Sequence, residues 1–512
     1  MKKPPLFSLW LFTVLFIAAM FLPRLLTQGM FGDGLLYSSL ARNLAEGRGT
    51  MWAPFFSSGY WIEFASGNPY FENPPLIIWL QAGFFWLLGD HWWSEKLYSL
   101  LLFLLNAWLL VRVWEIPLRG TVFQGKYGWV PLLFWYLIPV VIWGNPNNLM
   151  DNNLLTFCLL ALLLALDGLF SDRRIWLKMS FAGVCVYLGF MTKGPVALYP
   201  VAAPFLFALA SIRPTNTSQT EVTRFKNVSL LRGFFHSTWV GLVALGLFVL
   251  MLALIPEAKI YFENYWEKRL GVVISGTRED AELTGWARFS IFKILAQELV
   301  GIIVVFLVLF VLSKNKWRPI DRVTLSHPVN FNAQKISLLF LLLGFAATLP
   351  LMLSARQSGM YIIAGLPMFA LAAGYFHLPL LHHWLAEPSE KTRRFLKKLG
   401  IVSLAGMVVL AVHLFLIFGK PSRERDLLND LPYIQQTIPK GEKVAVCENL
   451  MNSLHTHTYL QRFHHLELTS ELSACQYALT DRRCDIATNP VLEQNGFEKI
   501  GGGSTFFVYK KK

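Results

Sequence analysis

The chain has 512 residues, of which 54% are hydrophobic and only 15% charged, against about 25% charged in ordinary soluble domains. Its apolar residues come in long blocks, which excludes a plain soluble fold. The net charge of +14 sits mostly in short basic clusters between those blocks, the pattern of inward-facing membrane loops rather than of a nucleic-acid surface.

In chain order, the first apolar block, 6–26, follows Lys2 and Lys3 and lacks an A-x-A-like cleavage site, so it reads as a retained signal anchor. Ten further spans are predicted at 96–115, 127–145, 150–170, 175–192, 195–212, 234–255, 291–313, 336–353, 359–377 and 399–419. The stretch 74–89 is short, opens on Pro74-Pro75 and ends at Gly89-Asp90, and is predicted to be re-entrant or interfacial. With the N-terminus inside, every inner loop is basic, from Arg112, Arg119 and Lys126 to Lys391, Arg393, Arg394, Lys397 and Lys398. Three segments then lie outside: a first loop 27–95, a second loop 256–290, and the tail from 420.

The fold class is therefore mainly α: a polytopic transmembrane helical bundle of about 11–13 helices spanning 1–420, with a small extracytoplasmic α/β domain at 421–512. In the tail, 442–447 reads as a strand, 455–463 as a helix and 505–509 as a terminal strand. Of the five cysteines, Cys158 and Cys185 lie in apolar blocks as inert core residues. Cys447, Cys475 and Cys484 share the tail and allow one disulfide if it faces an oxidising compartment.

Five short polar segments fall on the outer side. Phe31-Gly32-Asp33-Gly34 presents a carboxylate between glycines, ahead of a helix expected to lie along the membrane surface; Asp33 is either that helix's cap or a reactive group. Tyr70 to Leu76, with Glu72 before Pro74-Pro75, puts a second carboxylate at a helix N-terminus. Asn147 to Asn153 carries Asp151 at the hydrocarbon edge, where ionisable groups are expensive and usually functional. Thr192-Lys193-Gly194-Pro195 and Arg356 to Tyr361 are tight turns that each hold a cation, able to snorkel to lipid or to bind a substrate phosphate. Tyr37, Tyr361 and Arg269 are further substrate- or phosphate-contacting candidates, and Glu298 a weaker one.

Carboxylates beside cations at a lipid-water boundary suit a transfer in which a carboxylate deprotonates an acceptor hydroxyl and cations neutralise a departing lipid phosphate. The absence of a Gly-rich phosphate loop or dinucleotide fingerprint argues against a nucleotide-sugar donor.

The motifs in order resemble the GT-C glycosyltransferases, in the branch of protein O-mannosyltransferases and lipid A aminoarabinose transferases (glycosyltransferase families 39 and 83). The matching segments are Asp33 in FGDGLLYSSLARNLAEG, Tyr70 to Leu80, Leu149 to Asp151, Thr192 to Gly194, and Arg356 with Tyr361 and Pro367. The resemblance covers about residues 1–420. It implies a transferase of hexosyl or pentosyl groups from a polyprenyl-phosphate sugar to a lipid, glycan or protein acceptor, as in protein glycosylation or lipopolysaccharide modification. It places the chain in the plasma (inner) membrane with the site and tail on the periplasmic or outer side. It makes Asp33 the catalytic base, gives Asp151 and Glu72 a shaping role, and sets Lys193 and Arg356 on the donor phosphate. Some members use a divalent metal, for which Glu72 and Asp151 are the ligand candidates here. Asn73 and Leu36 stand where the aminoarabinose pattern has Lys and Arg, which favours a different sugar or acceptor. A rival reading, a transporter or flippase of a lipid-linked sugar, calls for internal repeats and mid-membrane polar residues, and neither is visible.

Overall fold

The computed structural model describes residues 6–57, 69–212, 228–272, 287–313, 332–354, 357–386 and 388–512. Crossing about 30 Å of hydrocarbon takes about 20 helical residues. Helices that meet this by length and composition are α1 (Leu6–Leu26), α4 (Ser94–Glu115), α7 (Met150–Ser171), α10 (Leu230–Leu254) and α16 (Glu390–Ile417), together with Ala333–Leu353 and the continuous run Ile175–Ser211. This is a multi-pass membrane protein. Between α1 and α4 lie α2 (Gly32–Ala45) and α3 (Leu76–Leu88), the latter 13 residues and too short to span, as expected for a re-entrant or interfacial segment.

Two expected single spans are broken instead. Residues 127–145 divide into α5 (Trp129–Tyr136) and α6 (Pro139–Gly144), bent by 87°. Pro139 has no N–H to continue a helix and holds Ile138 extended, so it starts a new helix instead. Residues 291–313 divide into α12 (Ser290–Glu298) and α13 (Val300–Ser313), bent by 61°. The two breaks meet: the Glu298 carboxylate accepts the Val140 N–H (2.8 Å), an otherwise orphaned donor of the first turn of α6. Gly301 approaches the Leu137 carbonyl so closely that a Cβ would lie 2.7 Å from it. Glu298 thus closes a broken backbone.

The run Ile175–Ser211 is two passes. Its first half, α8 (Ile175–Lys193), runs alongside α10 in the same direction: Gly183 faces Val240 and Val243, and the Tyr187 hydroxyl donates to the Met251 sulfur (3.1 Å). Its second half, 3₁₀ turns over Gly194–Ala202 and then α9 (Ala203–Ser211), runs the opposite way: Val201 lies by Gly241, the Phe205 N–H donates to Ser237 Oγ (3.1 Å), and Ala208 lies by Gly233. The chain therefore reverses at Lys193-Gly194, where Gly194 has φ +70°. A further pass, α15 (Leu366–Ala386), replaces the predicted 359–377: Gly359–Ile362 is a tight turn, and the helix starts at Leu366-Pro367, a favoured place for proline. Its partner α14 (Ala333–Thr348) lies beside it, with Gly365 against Ala347 and Thr348. By length and composition, seven helices among the described residues suffice to cross a membrane, or nine with each bent pair counted as one span.

α16 runs parallel to α1, Gly400 beside Ser8 and Gly406 beside Leu15, and returns the chain to the end where α1 finishes. There Gln28 N–H donates to the Lys420 carbonyl (2.9 Å) and Thr27 Oγ1 to Ser422 (2.8 Å). After α17 (Arg425–Thr437) comes a five-stranded sheet of order β2-β1-β3-β5-β4, built from β1 (Lys443–Val446), β2 (Glu467–Thr469), β3 (Tyr477–Asp481), β4 (Phe497–Gly502) and β5 (Phe506–Lys511). β1 is parallel to both β2 and β3, while β5 is antiparallel to β3 and β4. Helices α18 (Glu448–Met451), α19 (Leu454–His464) and α20 (Asp485–Gln494) complete this α/β unit, and Cys447 is joined to Cys484 while Cys475 is free.

The amphipathic helix expected on the membrane surface is buried. α2 lies under α19, and eleven of its fourteen residues are inaccessible, among them Leu35, Leu40, Ala41 and Asn43. Leu36, Tyr37, Leu40 and Ala41 form a core with Ile77, Ile78 and Phe85 of α3. Both sides of the helix therefore face protein: Leu35 packs in the core of the α/β unit, and Leu36, Tyr37, Leu40 and Ala41 pack against α3.

Candidate functional site

Four loops converge where α1 and α16 end. The Asn147-Asn148 turn binds the start of α2: Asn147 Oδ1 accepts the Phe31 N–H (3.0 Å), and Asn148 Nδ2 donates to the Gly34 carbonyl and Ser38 Oγ (both 3.0 Å). Asn148 does this from a left-handed backbone, φ +50°, a conformation asparagine tolerates well. A Cβ on Gly34 would lie 2.1 Å from the Asn147 carbonyl, so only glycine admits this approach. The α2 helix thereby begins at Gly32, with Phe31 in the capping position and no side-chain capping bond there. Asp33 is consequently a first-turn residue rather than the cap, and the cap reading of this carboxylate falls.

Tyr37, one turn after Asp33, sits at the centre of the cluster. Burial pushes its phenol well above its usual pKa, and the carboxylates of Asp33, Glu72 and Asp151 push it further, opposed by Arg269. The hydroxyl is therefore a neutral donor held among three acidic groups. Arg269 stands in a single π turn, Trp266–Leu270, that follows α11 (Pro256–Tyr265). Burial lowers the affinity of its guanidinium for a proton, but Glu72 and the hydroxyls of Tyr70, Tyr361 and Tyr37 more than offset that, and its pKa is raised. Tyr261 fastens the Glu72 loop by donating to the Asn73 carbonyl (2.6 Å), and Asn73 Nδ2 donates to the Tyr70 hydroxyl (3.0 Å).

Asp151 opens α7 and Lys193 closes the antiparallel α8, so their side chains meet: Lys193 Nζ is 2.5 Å from Asp151 Oδ2. Asp151 is buried, and its Oδ1 has no hydrogen-bond partner among the described residues. The Lys193 ammonium also lies 5.0 Å from the centre of the Tyr361 ring. A Cβ on Gly194 would fall 2.5 Å from the Tyr265 hydroxyl, so this turn and the Arg269 segment pack tightly.

Of the residues singled out from the sequence, the structure brings together Asp33, Tyr37, Glu72, Asp151, Lys193, Arg269 and Tyr361. Arg356 lies outside the described residues. Glu72 and Asp151 do not fit as a metal pair. Each has a cationic side chain beside it, and among the described residues neither belongs to a group of three His, Cys, Asp or Glu ligand atoms close enough to share an ion.

A second charged cluster, missed in the sequence, docks the α/β unit on this end. Arg462 of α19 donates to Asp90 Oδ1 (2.5 Å), to Glu95 Oε2 (2.7 Å) and to the His91 carbonyl (2.7 Å). Arg42 of α2 donates to the carbonyls of Gln461 (2.9 Å) and Arg462 (3.0 Å), and His465 Nε2 pairs with Asp90 Oδ2 (3.1 Å). Tyr459 bonds both backbone groups of Met30 (2.9 Å each). The only sequence signal was Asp90 and Glu95 flanking an apolar run, and nothing local connects them to Arg462.

The whole chain superposes on solved structures. It resembles ArnT from Cupriavidus metallidurans bound to undecaprenyl phosphate with a TM-score of 0.61 over 98% of this chain and 97% of that one, at 14% identity. The apo structure of the same protein gives 0.58 over 97% and 95%, at 13% identity. The chain has the GT-C fold. Residues 72–231, a stretch that holds Glu72, Asp151 and Lys193, match the family model described as dolichyl-phosphate-mannose-protein mannosyltransferase. Sequence comparison with curated proteins yields no significant match. At such low identity the GT-C likeness speaks for the path of the chain, and the chemistry has to be argued from the side chains.

Proposed function

We propose that the chain is an inverting glycosyltransferase that moves a sugar from a polyprenyl-phosphate donor to a lipid, glycan or protein acceptor at the periplasmic face of the plasma membrane. The observation that carries this reading is the meeting of Asp33, Glu72, Asp151 and Arg269 around the buried Tyr37 hydroxyl, with Lys193 on Asp151, at one end of an apolar bundle. Asp33 takes the proton of the acceptor hydroxyl, whose oxygen attacks the anomeric carbon as the bond to the phosphate oxygen breaks. Lys193, Arg269 and Arg356 hold the departing lipid phosphate, which gains charge as it leaves. Asp151 orients Lys193 through one of its three ammonium donors. Tyr37 and Tyr361 present hydroxyls toward the sugar and phosphate, and Glu72 fixes Arg269.

The orientation has its own supports. Basic loops gather at the end opposite the site, which supports a cytoplasmic placement of that end and an outer placement of the α/β unit, residues 421–512. The Cys447–Cys484 disulfide suits an oxidising exterior.

The test is sugar transfer by the purified chain from a polyprenyl-phosphate sugar, paired with mass spectrometry of lipids and glycoproteins from cells with and without it. The expected result is a glycan present only with the chain and absent with Asp33→Asn. Transfer by Asp33→Asn at the unaltered rate overturns the mechanism.

A further inference from the structure

At the end of the bundle opposite the candidate site, α7 finishes and α8 and α10 begin. There a cavity of about 290 Å³ is lined by Trp176, Ser229, Leu231, Arg232, Phe235 and His236. We propose that it is a binding site for the phosphodiester headgroup of an anionic phospholipid.

Three independent features meet in it. The first is an anion cradle. Ser229 caps the 25-residue α10 and accepts the Arg232 N–H (3.3 Å), and the first-turn N–H groups give this end a positive field. Arg232 adds a guanidinium of which one nitrogen donates to Asp172 Oδ1 (3.1 Å), with its other N–H groups open to an anion among the described residues. The second is His236. It is 1% exposed, it lines the cavity, and its Nδ1 has no hydrogen-bond partner among the described residues. A buried polar atom without a partner is expensive, and a ligand oxygen would satisfy it.

The third is the rim. Trp176 stands edge-on to His236 (4.9 Å between ring centres) and 5.8 Å from Trp239, whose indole N–H donates to Ser180 Oγ (3.0 Å). Trp176, Trp239, Leu231 and Phe235 are all exposed, a belt of the kind that sits at headgroup depth. The cavity holds a phosphate and glycerol but not two acyl chains. Those would run down the exposed apolar side of α10, past Leu242, Leu245 and Val249. A free anion would use the cradle and leave that apolar side unused, which is why the lipid is favoured.

The experiment is native mass spectrometry of the full detergent-solubilised chain titrated with dioleoylphosphatidylglycerol, dioleoylphosphatidylcholine or inorganic phosphate. The first phosphatidylglycerol adduct is expected at about tenfold lower concentration than the phosphatidylcholine adduct. Arg232→Gln, an exposed position, is expected to erase that preference, and His236→Ala to weaken it. The control Arg393→Gln/Arg394→Gln, basic residues of α16, is expected to leave it unchanged. Equal binding of the two lipids, or a preference that survives Arg232→Gln, overturns the proposal. So does full competition by millimolar phosphate, which would assign the cradle to a free anion.

Discussion

The two ends of α2 enter two buried charged clusters of opposite character. At its C-terminal end, Arg42 joins Arg462, Asp90, Glu95 and His465, and each positive group there has an acceptor in the protein. At its N-terminal end, Asp33 and Tyr37 join Glu72 and Asp151 with Arg269 and Lys193, and a buried oxygen of Asp151 is left over. The first cluster is cross-linked by ion pairs and holds two parts of the chain together, while Glu95 Oε1 and Arg42 Nε have no hydrogen-bond partner there among the described residues. The second gathers three carboxylates about one buried hydroxyl, an arrangement that mutual repulsion makes costly. Both reach one fourteen-residue helix, so burial of charge alone does not mark a site; the surplus of like charge around one space does.

Substitutions can break this contrast. Asp33→Asn has the largest expected effect, a loss of about 10²–10⁴ in transfer rate, the usual worth of a positioned base. It should leave the chain folded, because asparagine keeps the shape of aspartate and removes only its charge. A rate assay and a melting curve on the same sample check both, and a fall in stability with activity retained would reassign Asp33 to structure. Arg462→Met should do the reverse. It leaves the buried Glu95 carboxylate without its cation, a destabilisation of about 3–5 kcal/mol, visible as faster proteolysis between residues 420 and 443. Unchanged protease resistance would mean that the dock is held by Tyr459 and the apolar contacts instead.

The dock should also be sensitive to acid. Burial works against ionised Asp90, but its bond from His465 and the charges of Arg462 and Arg42 outweigh that and hold its pKa below the usual carboxylate range. Its stabilisation is present above pH about 4 and is lost as pH falls through that region. Burial lowers the pKa of His465 despite Asp90, so protonation is also disfavoured in the docked form, and stability falls below pH about 6.5. Both groups predict loosening on acidification and none on a rise to pH 8, measurable by hydrogen exchange at Met30 and Tyr459. The smallest effect is expected from Gly194→Ala, about 1–3 kcal/mol, since φ +70° and the Tyr265 hydroxyl at 2.5 Å both oppose a Cβ. A KM that rises with kcat held would show that this turn positions Lys193 for substrate binding only.

Much of the fold was legible because the bilayer imposes length and apolarity on each span, and local sequence records both. Spans such as 150–170 and 96–115 needed no tertiary information. The breaks at 137–139 and 299 were not read, because Pro139 and Glu298 are single departures within long apolar runs and the Glu298 to Val140 bond that closes one of them joins residues far apart. The burial of α2 was missed for a related reason: an amphipathic stripe tells that one side is apolar, not whether protein or lipid covers it.

By itself, the sequence determined that this chain crosses a membrane many times and carries acidic and basic residues where apolar runs end. It did so because hydrophobic length and charge position are one-dimensional properties. Only the tertiary structure decided that Asp33 enters α2 rather than capping it, that Tyr37 is the point on which Glu72, Asp151 and Arg269 converge, and that Asp151 takes Lys193. It also decided that Arg462 locks the last ninety residues onto Asp90 and Glu95. These pairings depend on which helix ends are neighbours in space, and that is set by the packing of the whole bundle rather than by any segment of it.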